Sequence, residues 1–321
     1  MTSEVTVDDI IAARKRIAAH IQPLRVTRSE SLSNQYGRDI HLAHEYLQTT
    51  GAFKLRGAMN SVLQLPAGAS GVTAVSTGNH GRALAWSARQ AGVSCIICMS
   101  KLVPQNKLDA IRALGAETRI IGKSQDEAEV EAKRLVDEEG YTMIPPFDHP
   151  HVIAGQGTLG LEMLQWVPEV DTILVQLSGG GLISGIALAV KSKRPDVRII
   201  GISMERGAAM AASQAAGEPV EVEELPTLAD SLGGGIGLDN HLTFAMVRDY
   251  VDEIVLLSED EIAAGIRHAY FDEQVILEGG GAVGIAALLA GKVEPGRNTI
   301  VLLSGKNIDM QLHRKIINGE N

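Results

Sequence analysis

The sequence predicts an α/β protein with two lobes, each a mostly parallel, twisted sheet that helices flank. Three observations support this prediction. Apolar residues alternate repeatedly between strand-like and helix-like spacing along the chain. The stretch 71–141 repeats the strand–helix unit often enough to form a small lobe of its own. The 321 residues suffice for two lobes, and Pro145-Pro146 is the expected boundary between them.

The elements are predicted in chain order. An opening helix covers residues 8–20, with Thr6 or Asp8 as its N-cap. The predicted strands are 71–75, 93–99, 118–121, 172–177, 197–203 and 298–303. The predicted helices between strands are 82–91, 106–114, 124–139 and 182–192. Ser124 and Glu127 have the spacing of a capping box for the third of these helices. We expect residues 1–70 and 148–321 to form the large domain, and residues 71–147 the small one.

Composition excludes several functional classes. The chain is 45% hydrophobic and 21% charged, which is too apolar for disorder. Aromatic residues make up only 3%, so stacking platforms for single-stranded nucleic acid are not expected. A net charge of -10 argues against nucleic acid or an anionic membrane as a partner. The stretch 173–190 is interrupted by Gln176, Ser178 and the three consecutive glycines 179–181, so it is not expected to span a membrane.

The two cysteines and the N-terminus favour the cytoplasm. Cys95 and Cys98 are too few for a disulfide framework. They form a C-x-x-C, but inside a predicted strand a separation of three places the side chains on opposite faces, so core packing is expected. The first nine residues lack the basic start and apolar core of a signal peptide, so we expect a cytoplasmic protein.

Lys54 is the most informative residue of the chain. It lies between Phe53 and Leu55, and Gly51 and Gly57 allow close backbone approach on either side. Apolar surroundings lower the pKa of a lysine, and a neutral amine can form a Schiff base with a carbonyl cofactor. The alternative is a half-buried lysine whose ammonium group reaches solvent.

Four loops that follow a predicted strand or precede a helix are rich in polar residues or in glycine. The turn Ser178-Gly179-Gly180-Gly181 before the helix at Leu182 suits a phosphate, although packing alone also explains such turns. The loop 76–81 is a second helix N-terminus, suited to a carboxylate or simply capped. The loop 304–309 follows the last strand. Glu278 in the loop 278–282 either faces a ligand or caps the next helix.

A nicotinamide-dependent oxidoreductase is an alternative from another enzyme class. Gly179, Gly181 and Gly185 follow a strand, and Glu205 closes the next one, which is nearly a dinucleotide fingerprint with its ribose-binding acid. This interpretation leaves Lys54 and the loop 76–81 without a role. A non-catalytic amino-acid-binding module is a third possibility, and it would not need Lys54.

Five motifs appear in the order that is found in threonine dehydratases and serine racemases, and the chain resembles these enzymes over its whole length. The motifs are residues 48–58, 76–81, 152–158, 178–182 and 304–309. The resemblance implies pyridoxal phosphate (PLP) as cofactor and the two-lobed PLP fold type II, which is similar to tryptophan synthase β. Within the family, segments 48–58, 204–210 and 225–237 look most like the dehydratases of hydroxyectoine utilisation.

The resemblance implies a role for each matching residue. Lys54 is the Schiff-base lysine and the base that moves the Cα proton, and Glu278 belongs to the cofactor site. Phe53 packs near the cofactor ring, Asn79 bonds its phenolic oxygen, and Ser304 contacts its pyridine nitrogen. The phosphate is held by Ser178, Gly179, Gly180, Gly181 and Leu182. The substrate side is formed by Ser76, Thr77, Gly78, His80, Arg82 and Lys306.

Departures from the family pattern refine these expectations. Thr77 stands where racemases have a serine, which argues against racemisation. Ser203 and Ala209 replace the acids of the racemase cation site, so no metal is expected. Arg82 and Lys306 replace glutamine and glycine, and each adds a positive charge that suits an acidic substrate.

These residues together predict a PLP-dependent dehydratase or ammonia-lyase. Its reaction would convert a β-hydroxy-α-amino acid to a 2-oxo acid and ammonia, in hydroxyectoine catabolism and on a substrate like 3-hydroxyaspartate. A threonine or serine dehydratase and an amino-acid racemase remain open. We expect a homodimer that binds a small amino acid.

Overall fold

A computed structural model gives the structure of the chain and describes residues 4–103, 105–122 and 125–320. Its strands within this part form two sheets, of six and four strands. The strands are β1 Val26–Arg28, β2 Asp39–Ala43, β3 Gly71–Val75, β4 Ser94–Met99, β5 Glu117–Ile120, β6 Tyr141–Met143, β7 Thr172–Gln176, β8 Arg198–Met204, β9 Glu253–Leu257 and β10 Asn298–Leu302.

The larger sheet has the order β1-β2-β10-β7-β8-β9, and the smaller sheet has the order β5-β4-β3-β6. Every pairing is parallel except that of β1 with β2. The fold is therefore the predicted α/β arrangement of two mostly parallel sheets.

Helices cover the faces of both sheets. They are α1 Val7–Ile17, α2 Glu30–Tyr36, α3 Lys54–Val62, α4 Asn79–Ala91, α5 Gln105–Ala113, α6 Gln125–Glu139, α7 Pro150–Trp166, α8 Gly181–Lys191, α9 Ala209–Ala216, α10 Thr243–Tyr250, α11 Glu259–Phe271, α12 Gly279–Leu289 and α13 Met310–Ile317. Helices α11 and α12 pack on one face of the larger sheet, and α7 and α8 pack on the other.

Two local predictions about side chains are confirmed. Thr6 is the N-cap of α1, where its side chain accepts from the Asp9 N–H and completes a capping box. Cys95 and Cys98 are both buried and belong to apolar clusters on opposite faces of the smaller sheet. Helix α1 ends at Ile17 instead of residue 20. The capping box predicted at Ser124 lies outside the described residues.

Several strands were absent from the prediction. Strands β1 and β6 have three residues each, too few for a periodic pattern. Strands β2 and β9, of five residues each, were also missed, and β9 is an edge strand. The predicted domain boundaries stay a prediction, although the strands of the smaller sheet all lie between Gly71 and Met143.

Helix α7 contacts both α3 and α8 at very short range. A Cβ added to Gly155 would lie 2.6 Å from the carbonyl oxygen of Arg56, and one added to Gly185 would lie 2.4 Å from that of Ile153. Such contacts allow only glycine without a shift of the backbone. The first residue of α3 and the turn before α8 are thus held at a defined separation. No helix among the described residues is long and apolar enough to cross a membrane.

Candidate active site

A cavity of about 360 Å³ lies at the carboxyl ends of the parallel strands. In the larger sheet, the chain order runs from β7 through β8 to β9 in one direction, whereas β10 lies on the opposite side of β7. The strand order therefore reverses between β10 and β7. Ligands of open α/β sheets bind where the strand order reverses in this way. The loops after β7 and β10 therefore meet the loop after β3 around one space. Its lining includes Phe53, Lys54, Ser76, Thr77, Gly78, Asn79, His80, Arg82, Ser178, Gly179, Gly180, Gly181, Leu182, Glu278, Ser304 and Asn307.

Lys54 is the first residue of α3 and points into this cavity. Its Nζ donates to the carbonyl oxygen of Pro146 at 2.7 Å and lies 5.3 Å from the centre of the Phe53 ring. Burial disfavours the ammonium form and lowers the pKa of Lys54 to about 8. The apolar setting predicted for this lysine is therefore present, and a useful fraction of its amine is neutral near pH 8.

The glycine turn after β7 presents unpaired backbone donors to the cavity. Gly180 has φ +89°, and helix α8 begins at Gly181. A Cβ on Gly179 would lie 2.3 Å from the Phe147 ring, so glycine is required there. Within the described residues, the N–H groups of residues 178–180 have no protein acceptor. Unpaired N–H groups before a helix N-terminus form a cradle for an anion such as phosphate.

The loop after β3 forms a second group of donors at the N-terminus of α4. Ser76 Oγ accepts hydrogen bonds from the N–H groups of Gly81 at 3.1 Å and Gly78 at 3.4 Å. Its own hydroxyl hydrogen can therefore be donated elsewhere. Thr77, which lies between Ser76 and Gly78 in the chain, also lines the cavity. This arrangement suits a carboxylate.

His80 contributes to this loop as a neutral side chain. Burial and the charge of Lys54 lower the pKa of His80 to about 3. Its Nε2 lies 2.7 Å from the carbonyl oxygen of Ile144, which can only accept, so the proton resides on Nε2. Because that N–H is already used, the side chain of His80 has no hydrogen left to donate to a carboxylate, and its contribution comes from the backbone.

Asn79, Glu278 and Asn307 form a hydrogen-bonded chain across the cavity. Asn79 Nδ2 donates to Glu278 Oε1 at 2.7 Å, and Asn307 Nδ2 donates to Asn79 Oδ1 at 2.6 Å. The Asn307 N–H donates to Glu278 Oε2 at 3.0 Å. Glu278 is buried, which raises the pKa of its carboxyl group. The amide plane of Asn79 is thereby fixed, with one Nδ2 hydrogen still available.

Ser304 is joined to the lysine segment through the backbone. It follows β10, is buried at 3% exposure, and its carbonyl oxygen accepts from the Phe53 N–H at 2.9 Å. An isolated bridge joins Ala52 to Gly305. The residue before Lys54 is thus tied directly to the loop after the last strand.

Of the two extra cations predicted for the substrate, the structure brings only Arg82 into the cavity. Its Nη1 donates to Asn307 Oδ1 at 3.0 Å. Lys306 is exposed and does not line the cavity, and its Nζ lies 6.0 Å from the centre of the Tyr46 ring. The structure therefore gives the predicted substrate contact of Lys306 no support, and it stays a prediction. The chain turns tightly here, with the Ile308 N–H donating to the Lys306 carbonyl oxygen at 2.8 Å, and Asn307 is the residue that lines the cavity.

Sequence reasoning also missed cavity residues that are distant in the chain. Asn307 lay in a motif, but its inward direction follows from the backbone bonds around Gly305. Lys107 on α5 lines the cavity and forms an ion pair of 3.2 Å with Asp230. No sequence signal connects these two positions. Gln176 at the end of β7 donates to the carbonyl oxygen of Leu302 at 2.7 Å, where the pairing of β7 with β10 has ended.

The structure gives the nicotinamide alternative no support. Glu205, its ribose-binding acid, does not line the cavity and pairs with Lys292 at 3.4 Å. Gly185, its third glycine, packs against α7. Among the described residues no group of three His, Cys, Asp or Glu side chains could hold a metal ion. The absence of a cation requirement stays a prediction.

Fold and cavity together place a buried lysine of lowered pKa and a glycine turn with unpaired N–H groups around one space. The chain belongs to the family of pyridoxal-phosphate dependent enzymes, whose model matches residues 17–305.

Related proteins match this chain over nearly its whole length. A protein of Sinorhizobium fredii named "Putative threonine dehydratase" is 57% identical over 320 residues, covering 99% of this chain and 96% of its own length. The L-threonine ammonia-lyase of Thermotoga maritima is 39% identical, covering 98% of this chain and 78% of its own length. The structure of maize serine racemase superimposes with a TM-score of 0.92 at 33% identity, covering 99% and 98% of the two chains.

The cofactor is therefore PLP, and the residues present fit it. The unpaired N–H groups of residues 178–180 suit its phosphate, and the amine of Lys54 suits its aldehyde. The fold is that of the PLP fold type II neighbours, as predicted.

Proposed function

We propose that the chain converts a β-hydroxy-α-amino acid to a 2-oxo acid and ammonia. One observation carries this proposal: the Lys54 amine, with its pKa lowered to about 8, lies in the same cavity as an anion cradle and a carboxylate loop. Bound PLP supplies an electron sink that makes the Cα proton of an attached amino acid acidic. The rest of the chemistry depends on this chain's own side chains.

The proposed cofactor contacts follow the geometry of the cavity. Ser178, Gly179, Gly180, Gly181 and Leu182 would hold the phosphate. The free Nδ2 hydrogen of Asn79 would bond the phenolic oxygen, and Glu278 and Asn307 hold that amide in place. Ser304 would contact the ring nitrogen, and Phe53 would lie beside the ring. A neutral hydroxyl at Ser304 does not keep the ring nitrogen protonated, which favours elimination.

The proposed substrate contacts place the reacting atoms near Lys54. The Ser76 hydroxyl and the free N–H groups at the start of α4 would bind the α-carboxylate, with Thr77, Gly78 and His80 shaping that loop. Lys54 Nζ would accept the Cα proton, and the β-hydroxyl would leave as water. The water lost in this step is balanced by the water consumed when ammonia is released.

Arg82 supports a substrate with a second acidic group. Its guanidinium is half-buried in the cavity, and burial lowers its pKa without removing the charge. A carboxylate paired with such a cation gains about 1.5–3 kcal/mol. We therefore propose a substrate like 3-hydroxyaspartate, with Arg82 alone as its recognition cation. The resemblance of segments 48–58, 204–210 and 225–237 supports a role in hydroxyectoine catabolism.

Threonine is the second candidate substrate, and the name of the Sinorhizobium fredii relative favours it. Racemisation has less support, because Thr77 lines the cavity where racemases have a serine.

The test compares kcat/KM for 3-hydroxyaspartate isomers, threonine and serine in the wild type and in Arg82→Gln. The proposal requires the acidic substrate to lead in the wild type and to lose about one to two orders of magnitude in the variant. Lys306→Gly is the matched control and should leave the preference unchanged, since Lys306 lies outside the cavity. If threonine is the preferred substrate of the wild type and of both variants, the proposal of an acidic substrate is wrong and the protein is a threonine dehydratase.

A further inference from the structure

A fully buried ion cluster lies behind the lysine, two residues further along α3. Arg56 is 0% exposed. Its Nε and Nη2 donate to the two carboxylate oxygens of Glu45 at 2.7 and 3.0 Å. Its Nη1 and Nη2 donate to Glu162 at 2.5 and 3.3 Å, and Nη1 also donates to Thr158 Oγ1 at 3.0 Å. All five N–H groups of the guanidinium are therefore used.

The cluster joins α3 to two separate elements. Glu45 lies in the short 3-10 turn that follows β2, while Thr158 and Glu162 lie on α7. Glu162 Oε2 also accepts the Leu24 N–H at 2.7 Å, and Thr158 donates to the Gly155 carbonyl oxygen at 2.7 Å. Glu162 and Thr158 are thus each fixed by a further bond, so the guanidinium is held in one orientation.

Such a cluster is a poor way to gain stability. One cation faces two carboxylates in a dry interior, and apolar residues of similar volume are often as stable or more stable. What a planar, fully bonded guanidinium provides is a fixed position. The N-terminus of α3 has no side-chain cap of its own, since Phe53 at the N-cap makes no side-chain hydrogen bond to the helix.

We infer that Arg56, through Glu45 and Glu162, is the positioning residue that holds Lys54 at its place in the cavity. The inference rests on the proposed function of Lys54. Lys54 must meet a cofactor whose phosphate is held at α8, and α7 packs against both helices. A displacement of about 1 Å at a reacting group costs about a hundredfold in rate.

The cluster acts through position and not through its charge. Burial is the cause of the lowered pKa of Lys54, and His80, on which the charge of Lys54 acts, is neutral. Arg82, Lys107, Asp230 and Glu278 also line the cavity, but none of them is a cause of the lowered pKa of Lys54. If α3 shifts and water reaches Nζ, the pKa of Lys54 must rise towards its ordinary value. This effect separates a positioning role from a role in stability alone.

The test uses the holoenzyme and the apoenzyme with two variants. Arg56→Lys keeps the positive charge but loses the planar guanidinium, and Thr158→Val removes the hydroxyl that accepts from Arg56 and donates to the Gly155 carbonyl oxygen. Ser33→Ala is the control. It removes a buried hydroxyl that bonds Ile40 and lies outside the cavity. The melting temperature, the PLP dissociation constant and the pH midpoint of PLP attachment to the apoenzyme are measured for each variant.

We expect Arg56→Lys to raise the PLP dissociation constant about tenfold and to move the attachment midpoint about one unit above pH 8. Thr158→Val should shift both values less but in the same direction. Ser33→Ala should lower only the melting temperature. If both cluster variants lose thermal stability but keep the wild-type midpoint and PLP affinity, the inference is wrong. Failure of the wild type itself to attach PLP at Lys54 would instead overturn the proposed function.

Discussion

Asn307 Nδ2 donates to Asn79 Oδ1 at 2.6 Å, and this bond joins the loop after β10 in the larger sheet to the start of α4 beside the smaller sheet. The contact spans the candidate cavity. Glu278 also accepts from the Asn79 side chain and from the Asn307 backbone N–H, so the three residues form one unit. The orientation of the Asn79 amide therefore depends on a residue 228 positions away in the sequence.

The first prediction follows from this bond. Asn307→Ala should raise the dissociation constant of PLP about tenfold, because the Asn79 amide loses the donor that orients it. Equilibrium titration of the apoenzyme measures this constant. Asn60→Ala is the control, since it removes a side-chain amide with two hydrogen bonds, against three for Asn307, and lies outside the cavity. Equal PLP affinity in Asn307→Ala and the wild type would show that the chain of amides does not orient Asn79.

The second prediction concerns pH. PLP reacts with the neutral amine, and the pKa of Lys54 is lowered from its ordinary 10.5 to about 8. The rate constant for attachment to the apoenzyme should therefore increase with pH and level off above about pH 8. Stopped-flow absorbance across the pH range measures it. A rate that keeps rising towards pH 10.5 would mean that Lys54 is solvated as an ordinary lysine.

The third prediction is independence from Mg²⁺. Ser203 is buried at 3% exposure and its hydroxyl contacts Met204, and Ala209 carries no ligand atom. Hard cations need several oxygen ligands, with carboxylates among them. Turnover should be unchanged by EDTA at any fixed substrate concentration. A large loss that Mg²⁺ restores would require a cation site elsewhere, and Glu205→Gln would test whether that acid belongs to it.

The sequence predicted the parts of the site that carry local signals. The apolar neighbours of Lys54 indicate a lysine that can form a Schiff base. The glycine turn at Ser178 indicates a cradle for a phosphate. The loops meet in space because the carboxyl ends of parallel strands lie at one edge of a sheet. Family resemblance then identified the cofactor, which the residues alone left open between PLP and nicotinamide.

The rest depended on tertiary contacts. Arg56 bonds Glu45 and Glu162, which lie 11 and 106 positions away, and no periodic pattern links them. The inward direction of Asn307 and the outward direction of Lys306 follow from a bridge between Ala52 and Gly305 that local sequence does not encode. Strands β1 and β6 were missed because three residues give no period to detect.

The attachment site of the cofactor tests the central claim most directly. The holoenzyme is reduced with borohydride, digested, and its peptides are mapped by mass spectrometry. We predict a single PLP-modified lysine, at Lys54, and the loss of the modification, of the visible absorbance band and of nearly all turnover in Lys54→Ala. Modification of another lysine, or a Lys54→Ala variant that keeps both the band and its turnover, would contradict the account.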